Sequence, residues 1–235
     1  MNLIGDPWLP VIFFDDTQEL ISLQALFEDG DRIRDLALTP PQRVAVMRFL
    51  ICVAQRSLDG PKDESDWLSC NHNIALSCLD YLAKNVDFFD LTGIKPFMQV
   101  PNLESDKPAL LDKLDFRLAS GNNATVFDQA ASPTGRVHPH AWGILNLLTF
   151  LNFSPGGLIS QAKWDQKTTD RTSFAAPCIQ AAHTFINSSN ILQTLWLNLL
   201  TREDVTKSGH KWGQPTWELF PSSLEDKQAA INATQ

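Results

Sequence analysis

Trp8-Leu-Pro-Val-Ile-Phe-Phe14, then Asp15-Asp-Thr-Gln18, then Glu19-Leu-Ile-Ser22, reads as two short strands around a polar turn. Pro7 and Pro10 place the first strand at a sheet edge, where a missing backbone donor costs least. Ser22 caps a short helix through Phe27, and the Asp-rich stretch around Gly30 is a loop. Beyond it the period changes. Thr39-Pro40-Pro41 opens a helix, because proline fits the first turn, and Val44, Met47, Phe49, Leu50, Ile51 and Ala54 keep helical spacing through about Ser57. A second helix runs from about Ser65 to Asn85, with Trp67, Ile74, Leu76, Cys78 and Leu82 facing inward. A third runs from His138 to Phe153 and is stopped by Ser154-Pro155-Gly156-Gly157. Cys178 to Ile186 fits a strand, and Ser188-Ser189-Asn190 caps a last helix from Ile191 to Thr201. Residues 120–135 and 160–176 read as polar loops, the latter mobile in character. Helices outnumber strands and do not alternate with them, so the class is α+β, mixed with a helical majority: small N-terminal strands, several core helices and long functional loops.

The chain has 235 residues, 43% hydrophobic and 20% charged. That suffices for a real core and excludes a disordered tail or a small stapled scaffold. The 7 Trp and 14 Phe are spread evenly, which favours one compact domain. Charge is uneven: the net value is -8, with 17 acids and 9 bases in residues 1–110 and 10 of each thereafter. Between Asp128 and Asp165 there is no acidic side chain, and Arg136, His138, His140 and Lys163 lie inside that window. If the chain meets a polyanion, it does so here. Cys52, Cys70, Cys78 and Cys178 form no C-x-x-C pair, and no secretory segment precedes Asp6, which points to a reducing, cytoplasmic setting. Cys70 and Cys78, eight apart, share a helical face as core residues. No apolar run reaches the length of a membrane span.

Catalytic signals are weak. Ser160-Gln-Ala-Lys163 matches the S-x-x-K nucleophile pattern, but one such match is expected roughly by chance in this composition, and Lys167-Thr168-Thr169 lies too near to serve as its partner. No nucleophile elbow, Walker loop or dinucleotide fingerprint occurs. His138-Pro-His140 offers two imidazoles, short of a zinc site, and reads as a capping or phosphate-facing pair at a helix start. No metal or cofactor is expected. Ser154-Pro155-Gly156-Gly157 is the most suggestive spot: paired glycines let bare backbone approach another chain, and Lys163, Lys167 and Arg171 follow to neutralise phosphates.

Five segments then line up in order: Asn2-Leu-Ile-Gly-Asp-Pro-Trp-Leu-Pro-Val11, Lys95-Pro-Phe-Met-Gln99, Gly121-Asn-Asn-Ala-Thr-Val-Phe-Asp-Gln129, Pro155-Gly-Gly157 and Gly213-Gln-Pro-Thr-Trp217. Together they resemble the CasA family, the large subunit of the type I-E CRISPR Cascade complex. The resemblance implies a non-enzymatic subunit of an RNA-guided antiviral surveillance complex. Such a subunit recognises the protospacer-adjacent motif in double-stranded DNA, helps start duplex opening, and supports recruitment of a helicase-nuclease effector. Its partners are the other Cascade subunits, guide RNA and target DNA, a division of labour in which protein reads a few base pairs and guide pairing reads the rest. It carries DNA contact onto Gly156 and Gly157, with Lys163, Lys167 and Arg171 beside them. Guide RNA and subunit contact fall on Asn123, Val126, Phe127, Asp128 and Gln129. Family members are longer and end in a helical bundle, so residues 1–235 correspond to most of their N-terminal globular domain, with the bundle outside this chain. The alternative is a purely structural protein–protein scaffold that never touches DNA.

Overall fold

The computed structural model describes residues 1–105, 107–119, 128, 135–164, 167–219, 221, 223, 224 and 226. In chain order the helices are α1 (Leu23–Glu28), α2 (Pro40–Ser57), α3 (Glu64–Cys70), α4 (Ile74–Lys84), α5 (His140–Phe153), α6 (Ile191–Leu197) and α7 (Arg202–Lys207). The strands are β1 (Leu9–Phe13), β2 (Gln18–Ile21), β3 (Ile33–Leu36), β4 (Glu104–Ser105), β5 (Gly157–Leu158), β6 (Ala162–Trp164), β7 (Lys167–Thr168) and β8 (Thr172–Ser173). Helical residues far exceed strand residues, as the sequence predicts for a mixed α+β chain. The chain divides into two compact units: residues 1–38, 47–101 and 184–235, and residues 39–46 and 102–183. The aromatic residues are spread evenly because each unit holds its own set.

In the first unit the N-terminal strands form an antiparallel sheet of order β2-β1-β3. β1 is therefore central, against the expected edge position. Pro10 is tolerated because the β1–β3 ladder begins one residue later, at Val11↔Leu36, while the Pro10 carbonyl still accepts from the Ala37 N–H at 2.9 Å. β3 arises inside the stretch expected to be a loop. α1 starts as expected, the Ser22 hydroxyl accepting from the Ala25 N–H at 3.1 Å. The expected helix from Ser65 to Asn85 is two helices broken at Asn71–Asn73, so Cys70 and Cys78 share no helical face, although both are buried. Leu76, expected inward, is 69% exposed. Burial pushes the half-buried Cys52 thiol up to about 11. The core is aromatic: Phe49 meets Phe97 and Trp217 edge-on, with centroids 5.5 and 5.4 Å apart, and Trp8 and Phe89 complete the cluster. Fully burying each such ring contributes on the order of 2–3 kcal/mol.

The second unit is built on α5 and on a 3-10 turn at Leu111–Leu114 that packs against it. Phe116 stacks on Phe150 at 5.6 Å. The first turn of α2 belongs to this unit, and there the Gln42 Oε1 reaches back to accept from the Thr39 hydroxyl at 2.8 Å and from the Thr39 N–H at 3.4 Å. Cys178–Ile186 is a turn and irregular chain instead of the expected strand. Its backbone finds other partners: the Cys178 N–H donates to the Asn152 carbonyl at 2.9 Å. Among the described residues no helix is long and apolar enough to cross a membrane.

Candidate nucleic-acid interface

α5 ends where the sequence says it must. Ser154 is extended (φ -63°, ψ 133°), its N–H closes the last turn on Phe150, and Pro155 cannot continue the helix. The chain then enters an ordered ribbon in place of the mobile loop expected over 160–176. β5 pairs antiparallel with β8 and, further out, β6 pairs with β7, so residues 157–164 and 167–173 form the two arms of one long hairpin. Between the two ladders the Ile159 N–H donates to the Arg171 carbonyl at 2.9 Å and the Thr169 N–H to the Ala162 carbonyl at 2.8 Å. Going from the Leu158↔Thr172 pair to the Lys163↔Thr168 pair takes five steps on one strand and four on the other. The ribbon therefore carries a bulge, which sharpens its twist. β4 adds a third strand beside β6.

The two glycines have separate tasks. A Cβ on Gly156 would lie 2.7 Å from the Ala175 nitrogen and 2.9 Å from the Ser173 oxygen, so this glycine is required by the close approach of its own chain. Gly157 has φ +139°, a conformation side chains rarely adopt, and open space where a Cβ would stand. The backbone at Gly157 is thus open to solvent, and the close approach at Gly156 fixes its position.

The three bases lie on the hairpin but not on one face. Directly opposed residues of an antiparallel ladder share a face and successive residues alternate. Lys163 is opposite Thr168 on one side and Glu104 on the other, while Lys167 is opposite Trp164, so the two lysines project from opposite faces. Arg171 is exposed, its Nε donating to Gln161 Oε1 at 3.0 Å. The sequence signalled neither the pairing nor Glu104, which lies 59 residues from Lys163 and meets it only through β4. The hairpin also disposes of the S-x-x-K reading: three residues on extended backbone separate Ser160 and Lys163 by about 10 Å, against about 5 Å on a helix.

Of the residues proposed for guide RNA and subunit contact, Asn123, Val126, Phe127 and Gln129 lie outside the described residues, and Asp128 lies within them. Its Oδ2 accepts from the Ala119 N–H at 2.9 Å and from Arg136 Nη2 at 2.7 Å, which ties residue 128 to both ends of the 120–135 segment. Arg136 also faces Asp112, a fully buried carboxylate whose Oδ1 accepts from the Arg136 N–H at 3.2 Å. His138 Nε2 approaches the same Oδ1 at 2.6 Å while its ring stacks on Trp142, with centroids 3.5 Å apart. The hydrogen bond from His138, aided by Arg136, holds Asp112 below the usual carboxylate range against its burial. Within the acid-free window Arg136 and His138 are therefore engaged by the chain's own acids, and His138 does not face phosphate at the helix start as expected. Burial raises the Asp115 carboxyl, but the bidentate Arg117 contact at 2.7 and 2.9 Å outweighs it and leaves the net shift downward.

Comparison with known proteins places this arrangement. A Thermus thermophilus protein described as CRISPR-associated protein CasA/Cse1 is 31% identical over 235 residues, 97% of this chain and 44% of the relative's length. The crystal structure of Thermobifida fusca Cse1 superposes with a TM-score of 0.77 at 23% identity, over 98% of this chain and 45% of that one. A chain from a structure described as a CRISPR RNA-guided surveillance complex superposes with a TM-score of 0.73 at 20% identity, covering 84% of this chain and 43% of its own. The chain thus spans less than half the length of the relatives it matches. The family model for CRISPR-associated protein Cse1 matches residues 2–235, and the chain belongs to that family.

Proposed function

We propose that this chain is the DNA-reading part of a non-catalytic subunit in a cytoplasmic, type I-E RNA-guided surveillance complex. In that role it recognises the protospacer-adjacent motif in double-stranded DNA, helps start duplex opening, and supports recruitment of the helicase-nuclease. One observation carries the reading: a hairpin at the end of α5 exposes the backbone at Gly157, held by Gly156, with Arg171 two residues before its ladder partner Ser173 and Lys167 further out on the same hairpin. Bare backbone fits along a groove, and cations alongside it neutralise phosphates. The surveillance-complex structure that shares this fold and the CasA/Cse1 relative support placing it beside guide RNA and other subunits. Asn123, Val126, Phe127 and Gln129 are proposed to meet that RNA and those subunits, with Asp128 fixing the base of their segment through Ala119 and Arg136.

A scaffold with no DNA contact is the second reading, and it is favoured by the engagement of Arg136 and Gly156 within the chain. The test uses the full-length protein assembled with its partner subunits and guide RNA. Target-duplex affinity is measured with and without the adjacent motif, for wild type and for a Lys167→Gln/Arg171→Gln variant. The interface reading expects the variant to bind motif-bearing duplex at least tenfold more weakly while the complex assembles normally. Equal affinity in an intact complex establishes the scaffold.

A further inference from the structure

Phe174 follows β8 and is 99% exposed. A whole phenyl ring in water is unusual for a residue whose backbone is this firmly held. The preceding residue, Ser173, is paired with Gly157 in the ladder. A Cβ on Gly156 would lie 3.0 Å from the Phe174 carbonyl carbon, so the two backbones are in close contact. Two residues on, the Ala176 N–H donates to the Ser154 carbonyl at 2.9 Å. The ring therefore stands on a braced backbone, adjacent to the open glycine backbone.

We infer that Phe174 is a nucleobase-stacking residue, receiving the face of an unstacked base of target DNA at the same interface; this rests on the DNA-contacting reading of the hairpin. Two features choose a base over an apolar protein pocket, and a third adds apolar surface beside the ring. The residues just before the ring are Arg171, Thr172 and Ser173, a cation and two hydroxyls of the kind that bind phosphate and sugar. From Arg171 to His183, where this unit ends, the sequence contains no acidic residue, the nearest being Asp170 just before Arg171. Leu158, opposite Thr172 in the ladder, is 87% exposed and supplies a second apolar contact next to the ring. A ring standing clear of the backbone is of little use along an intact groove, whereas against an unstacked base it gains a full aromatic contact that tolerates any sequence. The base can come from the duplex step beside the adjacent motif or from the strand displaced by guide pairing.

The experiment uses the full-length protein in its assembled complex with guide RNA, and target DNA carrying 2-aminopurine either at the step next to the motif or in the displaced strand. Wild type is expected to change the fluorescence of one probe, and which one identifies the source of the base. Phe174→Ala is expected to abolish that change and to weaken target binding on the order of tenfold, and Phe174→Trp to restore both. The Lys167→Gln/Arg171→Gln variant separates the two claims. If it leaves affinity unchanged, the interface reading fails and this inference fails with it. If it weakens binding while Phe174→Ala changes neither fluorescence nor affinity, stacking alone is overturned. A Phe174→Ala protein that stays folded but no longer joins the complex also overturns it, by assigning the ring to a neighbouring subunit.

Discussion

Trp67 in α3 and Trp196 in α6 stack with ring centroids 4.3 Å apart, and each indole N–H donates to the other's backbone carbonyl, at 3.2 and 2.8 Å. The two residues lie 129 positions apart, so this reciprocal clasp joins a helix of the middle sequence to one of the late sequence within one unit. Each contact involves the two groups that tryptophan uses best, a broad apolar face and one donor.

The clasp predicts strong coupling. Trp67→Phe and Trp196→Phe each remove one hydrogen bond, the Trp196 carbonyl still accepting from the Leu199 N–H at 3.1 Å, and each is expected to cost about 1 kcal/mol. Because each change also disturbs the shared stack, the double variant is expected to cost less than the sum of the single ones. Denaturant unfolding of the four proteins gives the coupling energy. A sum that is additive within about 0.3 kcal/mol would show that the two indoles act independently.

Asp112 governs stability at low pH in the second unit. Its carboxyl is held below the ordinary range by His138 and Arg136, so the folded form binds its proton less readily than the unfolded form does. Such a group contributes stability at neutral pH, and that contribution is lost as pH falls from about 4 through the still lower folded value. Asp115, also shifted down on balance, adds in the same direction. The midpoint of thermal unfolding is therefore expected to drop below about pH 4, and Asp112→Asn to flatten that part of the profile while lowering stability at pH 7. A variant as steeply acid-sensitive as wild type would remove Asp112 from the account.

Local signals and pairing were not equally legible in the sequence. The opening strands, the Thr39-Pro40-Pro41 helix start and the Ser154 helix stop were readable because caps, prolines and period-3.6 spacing act within a turn or two of chain. The central position of β1 was not, since it depends on β3 arriving from an Asp-rich stretch that carries no strand signal of its own. Cys178–Ile186 looked like a strand because local alternation cannot reveal that the partner is the end of α5. At the candidate interface, Gly156, Gly157, Lys163, Lys167 and Arg171 could be named from sequence, but not their faces. Facing is fixed by the hairpin register and by β4, whose contribution comes from 59 residues away.

That register makes a last prediction about which charges meet DNA. Lys163 has Glu104 directly across from it, whereas Lys167 projects from the other face, on the side of Trp164. The Glu104 carboxylate repels phosphate from the Lys163 face, which makes the Lys167 face the expected side for a duplex. In the assembled complex, Lys167→Gln is expected to reduce the slope of log affinity against log salt by about 0.9, the value for one lost phosphate contact. Lys163→Gln is expected to change it by less than half as much. Glu104→Gln, which removes a negative charge from the Lys163 face, is expected to tighten DNA binding a few-fold and to raise the slope. The reverse ranking, with Lys163 dominant and Glu104→Gln silent, would turn the hairpin over and place the β4 side against the duplex. The hairpin is thin enough for one charge change to report which face is covered, because residues one step apart along it point in opposite directions.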